Sequence, residues 1–412
     1  MRLAVAWVCL PALAACSSHA LEPKAPGAPA SADAAIDVAH DGATDAAARK
    51  DAGFFASDAG PLPSERYRAL AVAAGRDHMC ALLDDHRVKC WGDNSIGQLG
   101  LGDIVDRDAL EDMGDHLPAV DLGTGRTAKA IAAGRYSSCA ILDDDSVKCW
   151  GLALVQTGPP AAPDDFIGNA PGEMGDALAP LDLGPGRKAR LLALGYFTGC
   201  AVLDDGSSRC WDGSPTPTDI PPSPGRHVTQ LAGALGVLAL YDDGTFAPLG
   251  TGGNTLPSPD PTLGPDLRAI AIAGSRNYDC AVWANGSARC NGSPEAWWPP
   301  SLAVEITSVG VLEQSSYSCG IIGDGHVFCP KALATDPWNN GDSTPAGRFV
   351  RLGQPALSIT SGSWFDFCAV LLDGEVKCWS DLPMSSYIHG LGGTVTTETS
   401  WPSIDLGTRP TP

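Results

Sequence analysis

Twelve cysteines fall into six pairs, each ten residues apart: Cys80/Cys90, Cys139/Cys149, Cys200/Cys210, Cys280/Cys290, Cys319/Cys329 and Cys368/Cys378. Thiols so placed can oxidise to a disulfide or ligate a metal. Zinc knuckles set their cysteines about two to four residues apart and recruit a second pair. The spacing therefore favours disulfides, and neither a metal nor another cofactor is expected. If each pair faces across a β-hairpin, a three-residue loop such as Asp204-Asp205-Gly206 joins the strands. Such a loop needs a left-handed residue at its third position. Gly206, Gly244, Gly286, Gly325 and Gly374 stand there, with His86 and Asp145 in two further copies; both types tolerate that conformation better than most. Counting back from the loop puts each pair at a non-hydrogen-bonded site, where Cα atoms lie about 4.5 Å apart and a disulfide fits. In one more copy the equivalent positions are Leu238 and Pro248. Both cysteines are gone together, as bonded partners would be.

Catalytic chemistry finds no comparable pattern. The chain has no Gly-x-Ser-x-Gly elbow, no His-Glu-x-x-His and no phosphate-cradling Gly-Lys-Ser/Thr loop. His78 precedes Cys80 by two positions, but its equivalents are Ser137, Thr198, Gly236, Tyr278, Tyr317 and Asp366, so no histidine ring forms. The pairs Asp84-Asp85, Asp143-Asp144, Asp204-Asp205 and Asp242-Asp243 fall at hairpin tips, where Asp favours the turn. The acidic run from Asp103 to Asp115 lacks the spacing of a calcium loop and reads as solvated. No catalytic residue is assigned, and an enzyme is the reading with least support.

The N-terminus carries a different chemistry. Arg2 and the apolar run Leu3–Leu13 have the form of a signal peptide, too short to span a bilayer. The run ends in Leu13-Ala14-Ala15-Cys16, which resembles a bacterial lipobox. That resemblance implies cleavage before Cys16 and acylation of its thiol; two or more acyl chains give stable attachment to a membrane. Ser17 rather than Asp follows, which under the sorting rule of enteric bacteria favours the outer membrane of the cell envelope, while other bacteria sort differently. Residues 1–15 are expected to be a lipoprotein signal peptide, and 16–64 the acylated cysteine with a disordered Ala/Asp/Pro-rich linker. Cys9 leaves with the signal peptide, so all 14 cysteines are assigned.

Charge narrows the partners. The 412 residues include 27 Lys and Arg against 48 Asp and Glu, a net charge of -21. A nucleic-acid binder needs a basic face to meet phosphates, so none is expected. The 48 Gly and 34 Pro supply turn chemistry that suits many short strands.

The elements that position the cysteines come from one unit repeated seven times, starting near Ala71, Ala130, Leu191, Gln230, Ala269, Ser308 and Ser358. Residues 65–412 give about 50 per copy, a propeller period. The expected fold is all-β: a seven-bladed β-propeller with four antiparallel strands per blade. Segments Pro118–Gly123, Pro180–Gly184 and Pro402–Gly407 share an Asp-Leu-Gly ending. None precedes the first copy, so the C-terminal strand is expected to complete the first blade and close the ring. Trp91, Trp150, Trp211 and Trp379 each follow a second cysteine and are expected to pack between blades.

One set of loops has the composition of a binding site. Between the first two strands of the copies lie Arg76-Asp77-His78, Arg135-Tyr136, Tyr196-Phe197, Arg276-Asn277-Tyr278, Tyr317 and Trp364-Phe365. Equivalent loops of a propeller share one face around its axis, and Tyr, Trp and Arg dominate interface hot spots. Packing inward at the strand ends is the other reading, and the pattern alone does not separate the two.

The block Cys90-Trp91-Gly92-Asp93-Asn94-Ser95-Ile96-Gly97-Gln98-Leu99-Gly100, after the strand Gly75–Cys80, resembles the regulator of chromosome condensation repeat. The resemblance is strong in copies one to three and seven, and only the first keeps the full Gly-Gln-Leu-Gly element. It implies a seven-bladed propeller of four-stranded blades. Founding members exchange guanine nucleotides on a nuclear GTPase and dock on nucleosomes; the lipobox, disulfides and negative charge set those activities aside. The chain is similar instead to the bacterial envelope branch, whose secreted relatives include protein inhibitors of β-lactamase. A lipid-anchored, monomeric envelope protein that binds another protein through one face, in an inhibitory role or otherwise, is the leading expectation. Glycan binding, with Trp297, Trp298 and Trp338 as stacking platforms, and a purely structural role are the alternatives.

Overall fold

A computed structural model describes residues 65–153, 166–196, 198–213, 216–250, 268–291, 306–311, 318–330, 343–344, 347–362, 366–380, 401 and 403–409. The signal peptide, Cys16 and the linker lie outside them. Seven antiparallel sheets follow one another along the chain. Their first three strands are Ala69–Ala74, His78–Leu83 and Val88–Gly92 in sheet 1, and Ala128–Ala133, Ser137–Leu142 and Val147–Leu152 in sheet 2. Sheet 3 has Ala189–Leu194, Gly199–Leu203 and Ser208–Trp211; sheet 4 has Val228–Gly233, Val237–Tyr241 and Phe246–Leu249. Sheet 5 has Ala269–Gly274, Asp279–Trp283 and Ala288–Cys290; sheet 6 has Ile306–Val311, Ser318–Ile322 and Val327–Pro330. Sheet 7 has Ala356–Ser361, Asp366–Leu371 and Val376–Ser380. Phe166–Ile167 and Thr218–Ile220 add outer strands to sheets 2 and 3, and Gly347–Val350 with Ser343–Thr344 extend sheet 6. No α-helix occurs among the described residues, and no helix there is long and apolar enough to cross a membrane.

The hairpins form as their residues dictate. The last residue of each three-residue turn is left-handed, with φ of 65° at His86, 69° at Asp145, 81° at Gly206, 78° at Gly244, 77° at Gly286, 88° at Gly325 and 84° at Gly374. The middle residue closes the turn. Asp85, Asp144, Asp205, Asp243, Asn285, Asp324 and Asp373 each accept the backbone N–H two residues on, at 2.8–3.1 Å. The tip carboxylates thus build turns.

The turn in turn sets the register. Cys80 faces Cys90, Cys139 faces Cys149, Cys200 faces Cys210, Cys280 faces Cys290 and Cys368 faces Cys378. In sheet 6 Gly320 faces Phe328, which brings Cys319 to Cys329 one step further along the ladder. All six expected disulfides are present: Cys80–Cys90, Cys139–Cys149, Cys200–Cys210, Cys280–Cys290, Cys319–Cys329 and Cys368–Cys378, with Cα atoms 4.0–4.1 Å apart. Eleven of the twelve cysteines are buried, and Cys149 is half-buried. Leu238 faces Pro248 at the same register in sheet 4.

Cores lie between successive sheets. Trp91 packs with Val370 and Val376 of sheet 7, Trp150 with Leu82 and Val88 of sheet 1, and Trp211 with Ile141 and Val147 of sheet 2. Trp379 packs with Ile321 and Val327 of sheet 6. All four indoles are at most 2% exposed. A hydrogen bond also links sheet to sheet. The first residue of a first strand donates its N–H to the carbonyl of the left-handed turn residue in the sheet before: Ala128 to His86 and Ala189 to Asp145 at 2.9 Å, Ala269 to Gly244 at 3.0 Å, Ala356 to Gly325 at 2.8 Å. Ala69 of sheet 1 makes the same bond to Gly374 of sheet 7, at 2.9 Å.

The C-terminal segment borders sheet 7, with Ser403 bridged to Lys377, and also bridges the residues that lead into sheet 1, Thr408 to Arg66. Ile404 N–H donates to Val376 O at 2.9 Å, just as Val120 donates to Val88 at 2.8 Å and Leu181 to Val147 at 2.7 Å. Each Asp-Leu-Gly segment borders the third strand that precedes it in the chain, so the last one edges sheet 7. Sheet 1 is bordered on its outer side by Val120 at Val88 and by Arg107, bridged to Gly92. The C-terminal segment meets sheet 1 by other bonds: Tyr67 N–H to Gly407 O at 3.1 Å, and Lys89 Nζ to Leu406 O at 2.8 Å. Lys148 reaches Leu122 O in the same way at 2.9 Å.

The register makes a seventh disulfide possible. In the double variant L238C/P248C the new thiols should oxidise as the other six pairs do. Closing so short a loop contributes about 2–3 kcal/mol, offset by the lost Leu238 packing. Thiol titration of the denatured protein should find no additional free thiol; persistence of both would mean that the facing geometry is wrong.

Candidate functional site

The first strands of all seven sheets line one cavity of about 300 Å³, from Val72–Gly75 in sheet 1 to Ile359–Gly362 in sheet 7. Small residues close its wall because neighbouring backbones come so near. A Cβ on Gly134 would sit 2.7 Å from Gly195 O, and one on Gly195 only 2.0 Å from Gly236 O. After these glycines the chain turns tightly. Gly75 donates to His78 O at 2.8 Å, Gly134 to Ser137 O at 2.9 Å and Gly195 to Thr198 O at 2.7 Å. The residues that follow the glycines, Arg76, Arg135 and Tyr196, are therefore presented at one end of the cavity.

These side chains stack. The Arg135 guanidinium lies 4.5 Å from the Tyr136 ring centroid and 4.1 Å from that of Tyr196. Arg276 also stacks on Tyr196, at 4.5 Å. Arg76 lies 5.5 Å from the Tyr136 centroid, donates to the Tyr136 hydroxyl and pairs with Asp77 at 3.3 Å. The result is an alternating column, Arg76–Tyr136–Arg135–Tyr196–Arg276, drawn from sheets 1, 2, 3 and 5. Arg135, Tyr196 and Arg276 also line the shared cavity.

The column gathers five of the eleven residues that the loops nominate. Tyr196 is only 7% exposed, so it serves as a platform for cations more than as surface, whereas Arg276 is exposed. Tyr278 is half-buried against the core of sheets 5 and 6. His78 is not at the surface. It is 1% exposed, and its Nε2 lies 2.9 Å from Ser138 Oγ. Ser138 Oγ donates to Gln98 O at 2.9 Å, and Trp150 Nε1 donates to the same carbonyl at 3.1 Å. His78 therefore joins a buried polar link between sheets 1 and 2. Phe197, Tyr317, Trp364, Phe365, Trp297, Trp298 and Trp338 lie outside the described residues.

One residue of the cavity wall was not nominated. The Gln230 amide spans sheets 4 and 5, donating to Ile272 O and accepting Ile272 N–H, both at 3.0 Å. Its signal was a polar residue at a position held by Ala71, Ala130 and Leu191 in other copies. In the acidic loop Asp103 pairs with Arg107 at 2.8 Å, Asp106 accepts Asn94 N–H at 2.8 Å and Asp112 accepts Ala109 N–H at 3.1 Å. Hydrogen bonds from Thr408, its backbone N–H first, hold the Asp115 carboxyl below the usual range. No group of three or more His, Cys, Asp or Glu able to hold a metal occurs among the described residues.

The profile of the regulator of chromosome condensation (RCC1) repeat matches residues 70–98 and 128–152. The chain carries RCC1-type repeats. The guanine nucleotide exchange factor SRM1 of Saccharomyces cerevisiae is 27% identical over 154 residues, 37% of this chain and 31% of that protein. The X-linked retinitis pigmentosa GTPase regulator of Mus musculus is 36% identical over 80 residues, 19% of this chain and 7% of that protein. The chain thus spans less than a third of either relative. Among solved structures, the CRINKLY WD40 ectodomain of the Arabidopsis thaliana receptor kinase ACR4 has a TM-score of 0.49 at 18% identity, covering 77% of this chain and 98% of that one. In the two matched repeats, the loop after the first strand supplies Arg76, Arg135 and Tyr136 of the stacked column.

The column separates two roles by stability. Tyr196→Ala removes a buried ring under two guanidiniums and should cost about 3 kcal/mol. Arg276→Ala, at the exposed end, should cost about 1 kcal/mol or less. Urea unfolding of both variants checks this; equal losses would mean that Arg276 is part of the core.

Proposed function

We propose that this is a lipid-anchored envelope protein whose seven sheets form a closed seven-bladed propeller, and whose loop-bearing axial face binds another protein. The Arg–Tyr column carries this reading. It sets three cations and two aromatic rings at one mouth of the axial cavity, in a protein of net charge -21. Stacked side chains are already ordered, so little rotamer freedom is lost when a partner docks. Arg and Tyr are also the residue types that dominate interface hot spots.

The shared repeats support the same class of role, since one relative is an exchange factor and another a GTPase regulator. Ring closure is supported by the bond from Ala69 to Gly374, which repeats between sheets 7 and 1 the bond seen between other successive sheets. Four strands per blade would follow if each sheet has an outer strand like those of sheets 2 and 3. The signal sequence and Cys16 would place the propeller at the outer membrane, monomeric, on a linker of residues 16–64.

Affinity capture tests the binding face. The oxidised full chain in detergent should retain one protein in stoichiometric amount from envelope or secreted extract of the source organism. Tyr136→Ala with Arg276→Ala should abolish that retention without altering the circular dichroism spectrum. Retention by the double variant would remove the column from the site. The anchor is tested by Cys16→Ser, which should block incorporation of labelled palmitate and move the protein out of the membrane fraction. Unchanged labelling would refute acylation at Cys16.

A further inference from the structure

We propose, resting on the protein-binding reading above, that the binding face carries an apolar prong at its rim: Ile104 and Val105 enter an apolar cleft of the partner protein, and Lys or Arg residues edge that cleft. The two side chains are adjacent in the chain and 59% and 58% exposed. In water they gain nothing for the fold, and burying them drives association. The loop nonetheless holds them out. Asn94, 0% exposed, anchors the acids on both sides of the pair. Its Nδ2 donates to Asp103 O at 2.8 Å and to Asp103 Oδ1 at 2.9 Å, and its backbone N–H donates to Asp106 Oδ1 at 2.8 Å. Val105 N–H donates to Asp103 Oδ1 at 3.0 Å. A tip fixed in this way loses little freedom when it docks.

The backbone places the prong beside the column. Gly92, which ends the third strand of sheet 1, exchanges both backbone hydrogen bonds with Arg107, at 2.8 and 2.9 Å. Asp93 N–H donates to Asp77 O at 2.8 Å, and Asp77 follows Arg76 of the column. The prong therefore borders sheet 1 at the end that bears the stacked loops, away from the hairpin turns.

Charge names the partner. The segment from Asp103 to Asp112 holds five acids and a single base, Arg107. Arg107 offsets Asp103, at 2.8 Å. Asp106 and Asp112 bond to the backbone N–H groups of Asn94 and Ala109, which carry no charge to neutralise theirs. Asp106 and Glu111 are exposed. An apolar tip among carboxylates is complementary to an apolar cleft with a cationic edge. The same carboxylates repel an acidic protein and an anionic lipid surface, so the segment selects against both.

The test selects displayed random cyclic peptides on the immobilised full chain with its disulfides intact. Enriched peptides should combine aliphatic or aromatic residues with Lys or Arg. A synthetic enriched peptide should bind the double variant Ile104→Ser/Val105→Ser at least tenfold more weakly. Raising the salt from about 50 to about 300 mM should weaken its binding to the unaltered chain severalfold. Leu372, 62% exposed at the hairpin turn of sheet 7, is the control, and Leu372→Ser should leave the affinity unchanged. All three positions are exposed, and unchanged melting curves would show that the fold is kept. Peptides that bind the double variant undiminished but lose affinity with Tyr136→Ala and Arg276→Ala would overturn the prong and leave the column in place. Equal loss with Leu372→Ser, or enriched peptides without a cation, would overturn it too. Binding of the Cys16→Ser chain to phosphatidylglycerol vesicles, lost in the double variant, would assign the prong to lipid and overturn the protein partner. Failure to enrich any peptide over a blank surface would count against the prong and the protein-binding reading together.

Discussion

The bond on which the architecture depends is the one from the start of a first strand to the left-handed residue of the preceding hairpin turn. A residue at positive φ turns its carbonyl out of its own ladder, where the neighbouring sheet can use it. The middle Asp or Asn of the turn keeps that conformation by capping the N–H two residues on. Turn chemistry inside one sheet thereby sets where the next begins. Ala128, Ala189, Ala269, Ala356 and Ala69 all start their strands on such a carbonyl. Once the start is fixed, the glycines at the far end of the strand meet the neighbouring backbone, and the loops beyond them come within stacking distance.

The disulfides do a different job. Each joins the second and third strands of one sheet, so none ties one sheet to the next. Cohesion between sheets comes from the buried indoles, from the strand-start bonds, and from Lys89 and Lys148 reaching backbone carbonyls of the Asp-Leu-Gly segments. Burial, and then the nearby Arg87 charge, lower the affinity of Lys89 for its proton, and the carboxylates of Asp115, Asp405 and Asp85 offset this in part. Sheet 4, without a disulfide, has the Gln230 amide bonded twice to Ile272 of sheet 5. A sheet that lacks its internal staple is thus joined to its neighbour by a side chain peculiar to that copy.

Spacing was legible in the sequence wherever a local rule determined it. Cysteines ten apart with a left-handed residue between them permit one hairpin register, and that register is present from Cys80–Cys90 through Cys368–Cys378. Ownership of an edge was not legible. Repeats on a ring look alike from any starting point, so the C-terminal Asp-Leu-Gly motif could edge sheet 1 or sheet 7 until its pairing with Val376 was known. The place of His78 was legible and was missed. Residues two apart in a strand share a face, and Cys80 faces the core shared with sheet 2. His78 follows it inward to Ser138. The stacking order of the Arg–Tyr column could not be read from the chain. It depends on the distance between sheets, which no single copy encodes.

The acidity of the chain misleads when it is taken as a ligand signal. Much of it is turn chemistry. The Arg187 guanidinium holds the Asp205 carboxyl far below the usual range, and the Thr245 hydroxyl and Thr124 hydroxyl lower those of Asp243 and Asp176. Carboxylates lowered in the folded state stabilise it above the unfolded pKa of about 4, and that contribution fades as the pH falls through the folded values. Asp205 and Asp243 are there because they close hairpins, and Asp176 because it holds the loop at Thr124. The arginines of the column close no hairpin: Arg76, Arg135 and Arg276 stand at the opposite ends of the strands, where the turns place no demand on residue type. A cation retained there, in a chain so short of cations, is accounted for by the rings that it stacks on.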